Sequence, residues 1–339
     1  MLFSGPDGRD TLVGNGLDNR ITGGIGKDVI SGRDGKDTVV ETRDADMELK
    51  DSSLQIGSEL DTLKSIESAE LTGGGSANKL NASAFTRGPV TLDGDFGSDT
   101  LIGGTSSEDR VVVVRDADML LTDSALKVGA ETDAIIGIEQ ASLTGGAGAN
   151  KLDASGFTKG PVILTGAGGG DTLKGGKGDD ELSGGAGDDI IDGGLGTNTL
   201  VEQRDADMKL SDSKLVIGLE TDLLTGIQAA RLTGGNGANL LDASACNTIA
   251  VGLDGRGGVD VLKGGARGDV LDGGDGNDVI DGGNGNDRLT GGAGIDRLTG
   301  GNGDDFLDVK DGKPGDVADG GNGKDTAVAD QGDTVTGVP

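Results

Sequence analysis

Residues 264–308 repeat one nine-residue phrase five times: GGARGDVLD, GGDGNDVID, GGNGNDRLT, GGAGIDRLT and GGNGDDFLD. The shared template is G-G-x-G-x-D-x-U-x, where U is a large aliphatic residue. The aspartates of this template recur every nine residues, at Asp260, Asp269, Asp278, Asp287, Asp296 and Asp305. A fixed period of this kind indicates an architecture in which similar units stack on one another.

Each phrase predicts a tight turn followed by a short strand. The first six residues suit a turn because glycine tolerates positive φ, and the last three place one aliphatic residue, such as Ile280, inside. Two phrases then make one right-handed coil, so equivalent residues of successive coils lie about 4.8 Å apart. Asp260, Asp278 and Asp296 are predicted to form one column, with Asp269 and Asp287 in a column at the opposite edge.

Columns of carboxylates require a counter-charge. Like charges about 5 Å apart repel, and a divalent cation between stacked turns reverses that repulsion. Ca²⁺ prefers six to eight oxygen ligands, which aspartates and glycine-turn carbonyls supply together. Zinc and copper fit poorly, because the chain has no histidine and one cysteine.

The phrase resembles the nonapeptide of the RTX (repeats-in-toxin) family of secreted calcium-binding proteins. The resemblance and the repeat geometry both predict an all-β fold, an elongated, right-handed parallel β-roll or β-helix solenoid. They also predict several bound Ca²⁺ ions. The predicted ligands are Asp10, Asp28, Asp37, Asp99, Asp171, Asp180, Asp189, Asp260, Asp269, Asp278, Asp287, Asp296, Asp305, Asp316 and Asp325.

The composition predicts a chain that folds only with metal. Its 339 residues include 69 glycines and five phenylalanines, no Trp or Tyr, and a net charge of −30. Such a charge with few aromatic residues is typical of disorder, so we expect an unfolded metal-free state.

The absence of a basic patch argues against nucleic acid as a partner. No stretch of 18 apolar residues predicts a membrane span.

The expected location is extracellular or on the cell surface. The opening residues, MLFSGPDGRD, lack the features of a secretory signal peptide. The RTX resemblance implies type I secretion with an uncleaved signal near the C-terminus, and the polar end DTVTGVP is compatible with it. Millimolar external calcium would then fold the exported chain. Cys246 has no cysteine partner, so no disulfide framework is expected.

Two kinds of segment alternate along a chain that is predicted to be one continuous solenoid over 1–339. Nonapeptide blocks are predicted at 4–39, 93–110, 165–200 and 253–328, followed by a tail at 329–339. Long modules are predicted at 40–92, 111–164 and 201–252. Because all three modules have the same internal spacing, each is predicted to be a fixed number of coils. The pairs Met47/Leu49 and Leu54/Ile56 indicate strands with one buried face.

The nonapeptide blocks contain departures from the template. Asn19 and Asn198 replace aspartates, and Glu108 falls nine residues after Asp99, where the next aspartate is expected. Residues 309–315, VKDGKPG, lengthen the next interval to eleven residues and predict a bulge. These sites are expected to bind calcium more weakly or differently. The long modules lack the Gly-x-Gly-x-Asp turn, so their coils are predicted to hold no stacked calcium.

Each long module begins with Arg-Asp-x-Asp, the one cluster that resembles catalytic chemistry. Its members are Arg43, Asp44 and Asp46; Arg115, Asp116 and Asp118; and Arg204, Asp205 and Asp207. Some calcium-dependent polysaccharide lyases on parallel β-helices use a basic residue beside acidic metal ligands. Three identical copies favour a salt bridge or a turn cap instead, because catalysis rarely needs a triplicated site.

Other candidate residues also favour structural roles. Asn78, Asn150 and Asn239 could contact a ligand, but an asparagine that stabilises a turn is the preferred interpretation. Cys246 stands where the other modules have Phe85 and Phe157, which predicts a small buried residue rather than a nucleophile. Without histidine there is no Ser-His-Asp or Cys-His pair, so no catalytic residue and no enzymatic activity is predicted.

The leading hypothesis is an extracellular structural protein of a surface layer, sheath or matrix. Repeats occupy nearly the whole chain, and nonapeptides at both ends predict head-to-tail self-association into a filament. Cell-surface polysaccharide is a further candidate partner. Two alternatives stay open, namely the secretion and folding module of a larger toxin, protease or adhesin, and a calcium-dependent polysaccharide lyase or epimerase.

Overall fold

The computed structural model describes residues 2–338, and within them the chain is all-β, with 39 strands and no helix. The chain divides into two compact units. Unit 1 contains the residues up to Gly146 together with Asn150–Leu164 and Gly176–Gly178, and unit 2 contains Ala147–Ala149, Thr165–Gly175 and the residues from Asp179 onward.

Nineteen strands lie in the first part of the chain, up to residue 165. They are β1 Leu2–Ser4, β2 Thr11–Val13, β3 Arg20–Thr22, β4 Val29–Ser31, β5 Thr38–Thr42, β6 Met47–Lys50, β7 Ser53–Ile56, β8 Glu59–Lys64, β9 Ser68–Gly74, β10 Lys79–Ala84, β11 Val90–Asp95, β12 Thr100–Ile102, β13 Arg110–Val114, β14 Met119–Thr122, β15 Ala125–Val128, β16 Glu131–Ile136, β17 Gln140–Thr144, β18 Lys151–Gly156 and β19 Val162–Thr165.

The remaining strands follow in unit 2. They are β20 Thr172–Lys174, β21 Glu181–Ser183, β22 Ile190–Asp192, β23 Thr199–Gln203, β24 Met208–Ser211, β25 Lys214–Ile217, β26 Glu220–Thr225, β27 Ala229–Thr233, β28 Leu240–Ala245, β29 Ala250–Asp254, β30 Gly257–Gly258, β31 Val261–Lys263, β32 Val270–Gly276, β33 Val279–Asn284, β34 Arg288–Ala293, β35 Arg297–Asn302, β36 Phe306–Asp308, β37 Val317–Asn322, β38 Thr326–Val328 and β39 Thr334–Thr336.

The nonapeptides form parallel coils of two phrases each. In unit 2, β31 pairs with β33 and β33 with β35, so Val261, Val279 and Arg297 lie side by side at intervals of two phrases. The intervening strands β32, β34 and β36 pair in the same parallel way in the other sheet. The predicted all-β, parallel β-roll is therefore confirmed.

The core is built from the aliphatic residue that follows each turn. Leu262, Leu271, Ile280 and Leu289 are at most 1% exposed, whereas Val270, which precedes one of them, is 54% exposed. Alternation of this kind is the period-2 pattern of a strand with one buried face. Each buried aliphatic side chain contributes about 1.5–3 kcal/mol, so the core is thin relative to the number of ordered residues.

The long modules differ from the predicted regular coils. In the first module, β6, β7 and β8 form an antiparallel meander, in which Met47 faces Ile56 and Leu54 faces Asp61. The same meander recurs in β14–β16 and β24–β26. The outer strands return to the parallel stack, since β8 pairs with β4 and β6 with β10. The predicted one-sided burial is confirmed, but the expectation that each module contains only coils is wrong.

Short turns explain the meander. Two residues, 51 and 52, join β6 to β7, and Gly57 with Ser58 joins β7 to β8. Gly57 has a φ of 52°, and the matching Gly129 and Gly218 have φ values of 58° and 60°. Two-residue loops with positive φ are the commonest connections of β-hairpins, so these turns reverse the chain within one sheet.

The predicted bulge at 309–315 is present. Strand β36 ends at Asp308 and β37 begins at Val317, with no strand between them. Arg297 pairs with Val317 rather than with a residue two positions earlier, so the register of the stack absorbs the extra residues.

Candidate calcium sites

Two glycines of many nonapeptide turns hold conformations that other residues rarely adopt. Gly274 and Gly276 have φ values of 93° and 156°, and Gly283 and Gly285 have values of 93° and 121°. At these angles a Cβ atom is strained, so the second and fourth template positions favour glycine. Three other residues nevertheless hold positive φ at the second position of their turns, namely Arg33, Ala167 and Arg256.

The first glycine of the template is required for a different reason. A Cβ on Gly282 would lie 2.5 Å from Oδ2 of Asp287 and 2.6 Å from the carbonyl oxygen of Gly300. A Cβ on Gly255 would meet Oδ2 of Asp260 and the carbonyl oxygen of Gly273 at 2.5 and 2.6 Å. A carboxylate oxygen of the glycine's own turn and a carbonyl oxygen of the next coil therefore converge beside the α-carbon of each of these glycines.

The template aspartates form the predicted columns. The backbone N–H of Asp260 donates to Oδ1 of Asp278 at 2.8 Å, and the N–H of Asp278 donates to Oδ1 of Asp296 at 2.8 Å. At the opposite edge, the N–H of Asp269 donates to Oδ1 of Asp287 at 2.8 Å. One oxygen of each of these carboxylates thus fixes the register between successive coils.

The second carboxylate oxygen is buried and, within residues 2–338, accepts no hydrogen bond in ten of the predicted ligands. These are Asp10, Asp28, Asp37, Asp99, Asp189, Asp260, Asp278, Asp287, Asp305 and Asp325. A buried anionic oxygen without a partner is costly, and the usual compensation is a bound cation. The orphaned oxygens therefore fit a row of metal ions between the turns.

The electrostatics of the columns favour a positive ligand. Burial raises the pKa of Asp287 to about 7, and the carboxylates of Asp269 and Asp305 add to that rise. Burial likewise raises the pKa of Asp296 to about 6, with a further contribution from Asp278. A raised pKa means that the folded metal-free chain holds a proton on these oxygens more readily than an ordinary carboxylate does, and a divalent cation can take the place of that proton.

Backbone carbonyls must complete any metal site. In the described part of the chain, no three His, Cys, Asp or Glu side chains form a group able to hold a metal ion alone. Aspartate oxygens and glycine-turn carbonyls make an all-oxygen donor set, which suits calcium. Of the predicted ligands, Asp10 is partly exposed and the other fourteen are buried. Their role as ligands remains a prediction.

One predicted departure from the template is wrong. Glu108 is exposed, whereas Asp109 is fully buried and its Oδ1 accepts the backbone N–H of Val90 at 2.9 Å. Asp109 thus occupies the column position after a ten-residue interval. The aliphatic residue two positions after the aspartate, Val111, is also buried and was the signal that identifies Asp109.

The columns also continue into the long modules, which the motif did not predict. The N–H groups of Asp28, Asp99 and Asp189 donate to Oδ1 of Asp61, Asp133 and Asp222, respectively, at 2.8, 2.9 and 3.0 Å. Each module aspartate is followed two residues later by a buried aliphatic residue. The short pattern Asp-x-aliphatic is therefore shared by column residues that lack the full nonapeptide.

The Arg-Asp-x-Asp clusters form salt bridges and turn caps, which is the interpretation that the sequence favoured over catalysis. Arg43 pairs with Glu41 at 2.9 Å and with Glu59 at 3.5 Å. Oδ1 of Asp46 accepts the backbone N–H of Lys79 at 2.8 Å, as a turn cap does. The third module repeats the arginine contacts at Arg204, with Glu202 at 2.9 Å and Glu220 at 3.7 Å.

The module asparagines stabilise turns. Oδ1 of Asn78 accepts the backbone N–H of Gly74 at 2.8 Å, and Oδ1 of Asn239 accepts that of Gly235 at 2.8 Å. Asn150 makes the same bond with Gly146 at 2.8 Å. These contacts support the interpretation of a structural asparagine over a ligand contact.

Cys246 is a buried core residue. It is 1% exposed, and Phe85 and Phe157 are fully buried in the equivalent places. Burial raises the pKa of the Cys246 thiol to about 12, with smaller contributions from nearby aspartates. The thiolate needed for nucleophilic chemistry is therefore scarce at neutral pH.

The stacked turns, the buried aspartate columns and the oxygen-only donor set define a calcium-type β-roll. The family model of the RTX calcium-binding nonapeptide repeat matches residues 4–39, 86–106, 165–200, 254–289 and 281–313. The matched segments are therefore RTX calcium-binding nonapeptide repeats, as the sequence predicted. Comparison with curated proteins finds no match to the chain. Among the described residues, no helix is long and apolar enough to cross a membrane.

Proposed function

We propose that this protein is an extracellular, non-enzymatic scaffold that folds when several Ca²⁺ ions enter its aspartate columns. The observation that carries the proposal is the repeated pair of oxygens beside the first glycine of most turns, one from a carboxylate and one from a carbonyl. Calcium supplies charge neutralisation and multiple coordination there, and the chain supplies the registered turns. Calcium binding then contributes directly to the free energy of folding.

A calcium titration followed by circular dichroism tests this proposal. We expect little β signal in chelator and a cooperative gain at micromolar to millimolar calcium, with magnesium ineffective because it holds its waters more tightly. Asp287→Asn should shift the midpoint to higher calcium, since Asp287 is buried in a column. The matched control Asp281→Asn removes an exposed carboxylate and should not shift it. Full β structure in chelator would overturn the proposal.

The secretory part of the proposal follows from the same linkage. RTX repeats are typical of secreted proteins, and a chain that needs calcium stays unfolded where calcium is scarce. We infer export in the unfolded state by a type I route and folding outside the cell. Expression with and without a type I exporter, followed by measurement of the protein in the medium, tests the route. Equal amounts in both media would contradict it.

End-to-end assembly of copies is the further part of the proposed function. In the described residues, β39 pairs with β37, and Val335 of β39 remains 38% exposed. An exposed strand edge can pair with another copy. We expect filaments by electron microscopy in millimolar calcium and none in chelator. Val335→Pro should shorten them by removing a backbone donor from the free edge of β39, whereas Leu195→Lys, in an exposed turn, should not. Monomers alone in calcium would refute assembly.

A cleft on the second long module favours one other candidate, action on an anionic polysaccharide. The cleft has a volume of about 440 Å³ and is lined by Asp118, Lys127, Lys151 and Asp153 among others. Lysines beside carboxylates could bind the carboxylates of a uronate chain and transfer a proton to or from the bound sugar. Incubation with uronate polymers and absorbance detection of unsaturated products tests this candidate. Loss of that activity in Lys127→Ala would favour it over the scaffold.

A further inference from the structure

The junctions between nonapeptide blocks and long modules repeat the contacts of the calcium columns. Asp28 and Asp61 are each 1% exposed. Oδ1 of Asp61 accepts the N–H of Asp28, while Oδ2 of both residues is buried and accepts no hydrogen bond in the described part of the chain. This is the arrangement of Asp260 and Asp278 within a block, where the same two features occur.

The N–H contact occurs at all three junctions. Among the described residues, the block aspartate has an orphaned Oδ2 at each junction, and the module aspartate has one at Asp61. Asp133 is 4% exposed and binds the N–H of Asp99, and Asp222 is 1% exposed and binds the N–H of Asp189. Oδ2 of Asp99 and of Asp189 is also buried without a hydrogen-bond donor. Each module therefore presents a buried acid to the orphaned oxygen of the preceding block.

Neutral residues at the opposite edge of the third junction show that a charge is not needed for register. There, the N–H of Asn198 donates to Oε1 of Gln228 at 2.7 Å, which joins the block at 165–200 to its module without a carboxylate. The amide of Asn198 also donates to the carbonyl of Gly226 at 2.9 Å, so its second side-chain atom is satisfied. Aspartates at the other edge keep an oxygen that the fold alone does not use.

The junctions also carry a second acid in place of the fourth-position glycine. Oε2 of Glu59 accepts the N–H of Gly26, in the preceding turn, at 3.2 Å. Arg43 pairs with the same carboxylate, so the guanidinium offsets the added negative charge. Arg115 and Glu131 repeat this pair at 2.7 Å. Arg43 attracts the carboxylate of Asp61 less strongly than Asp28 and Glu59 repel it, so net negative charge stays at this junction.

We propose that Asp61, Asp133 and Asp222 each hold a Ca²⁺ ion jointly with Asp28, Asp99 and Asp189. The three modules then contain metal sites that the nonapeptide motif does not encode. The ions link each module to the preceding block. This inference rests on the proposed calcium-dependent folding. It departs from the expectation, drawn from the motif alone, that the modules are free of stacked calcium.

Counting the bound ions tests the inference. Equilibrium dialysis of the full chain at saturating calcium, with the metal measured by atomic absorption, should give three fewer ions in the variant Asp61→Asn, Asp133→Asn, Asp222→Asn. Asparagine keeps the Oδ1 acceptor and loses the charge. The matched control, Asp51→Asn, Asp123→Asn, Asp212→Asn, removes three exposed carboxylates that cap module turns. The control should bind as many ions as the wild type.

A second measurement applies even when the triple variant does not fold. Anomalous scattering from crystals of the wild-type protein in calcium should show a peak between Asp28 and Asp61 and at the two equivalent junctions. Suppose that the wild-type chain folds on calcium, but the crystals show only water at the junctions or the triple variant binds as many ions as the wild type. Either result would overturn this inference and leave the proposed function standing. Wild-type chain that binds no calcium would overturn the proposed function itself.

Discussion

The first glycine of the nonapeptide is the residue that brings the candidate metal-binding oxygens together. Without a side chain at Gly282, a carboxylate oxygen of its own turn and a carbonyl oxygen of the next coil can approach the same α-carbon. The other glycines serve the turn by adopting positive φ, which is a property of the backbone alone. One phrase thus uses glycine for two separate physical purposes.

Replacement of that glycine should weaken calcium-dependent folding. In Gly282→Ala, the methyl group would lie 2.5 Å from Oδ2 of Asp287, so the turn must shift and lose about 1–3 kcal/mol. Calcium titration by circular dichroism should show a higher midpoint. The matched control is Gly16→Ala, where a Cβ meets nothing within 4 Å and φ is not positive. Equal midpoints for the two variants would contradict the close approach.

Cys246 should report folding through its reactivity. Burial raises the pKa of this thiol to about 12, so at pH 8 in calcium almost no thiolate is available. In chelator the unfolded thiol returns to its ordinary pKa and becomes accessible. We expect iodoacetamide to alkylate Cys246 at least tenfold faster in chelator than in calcium, measured by mass spectrometry. Rapid alkylation in saturating calcium would show that the third module stays open.

At the scale of strands and turns, the sequence predicts which side chains are buried and how the strands are spaced along the chain. It predicts less well whether neighbouring strands run parallel or antiparallel. The nine-residue period predicted the parallel coils because two phrases close one coil, and β31, β33 and β35 follow that register. The alternation at Met47, Leu49, Leu54 and Ile56 predicted a buried face, but burial alone does not distinguish a parallel neighbour from an antiparallel one. The two-residue turns, with a glycine at 57, held the missing information.

The sequence predicted the aspartates of the candidate calcium sites only in part, as it did the fold. The full template found the buried aspartates of the blocks, since turn and ligand are encoded together there. It missed Asp61 and Asp109, because these positions keep the column contact but not the glycines of the turn. A hydrogen bond between residues 33 positions apart, as between Asp28 and Asp61, depends on how the meander folds back. No local motif encodes that distance.

A single core substitution tests the stability of one coil. Leu289 is fully buried in β34, so Leu289→Ala should cost about 2–5 kcal/mol through lost burial and a residual cavity. Ile295 lies in the next turn and is 59% exposed, so Ile295→Ala should stay within about 0.5 kcal/mol. Thermal unfolding in a fixed excess of calcium compares the two variants. A larger loss at Ile295 would place the core on the wrong face of the coil.

For the whole molecule, negative charge opposes folding. The net charge is −30, and twenty-one Asp and Glu side chains are buried among the described residues. Exposed charges are screened by any salt, but buried carboxylates in the columns are reached only by an ion that sheds water and takes oxygen ligands. General screening and specific coordination therefore predict different responses to salt.

Sodium chloride should not replace calcium. At 1 M ionic strength the screening length falls to about 3 Å, which removes most repulsion between surface charges. If surface repulsion alone kept the chain unfolded, 1 M sodium chloride in chelator would restore the β signal in circular dichroism. We expect it to restore less than a tenth of the signal gained in calcium, because the orphaned oxygens of residues such as Asp278 and Asp305 still lack a ligand. Potassium chloride is the matched control for sodium binding. Full folding in either salt would show that the columns require screening and not coordination.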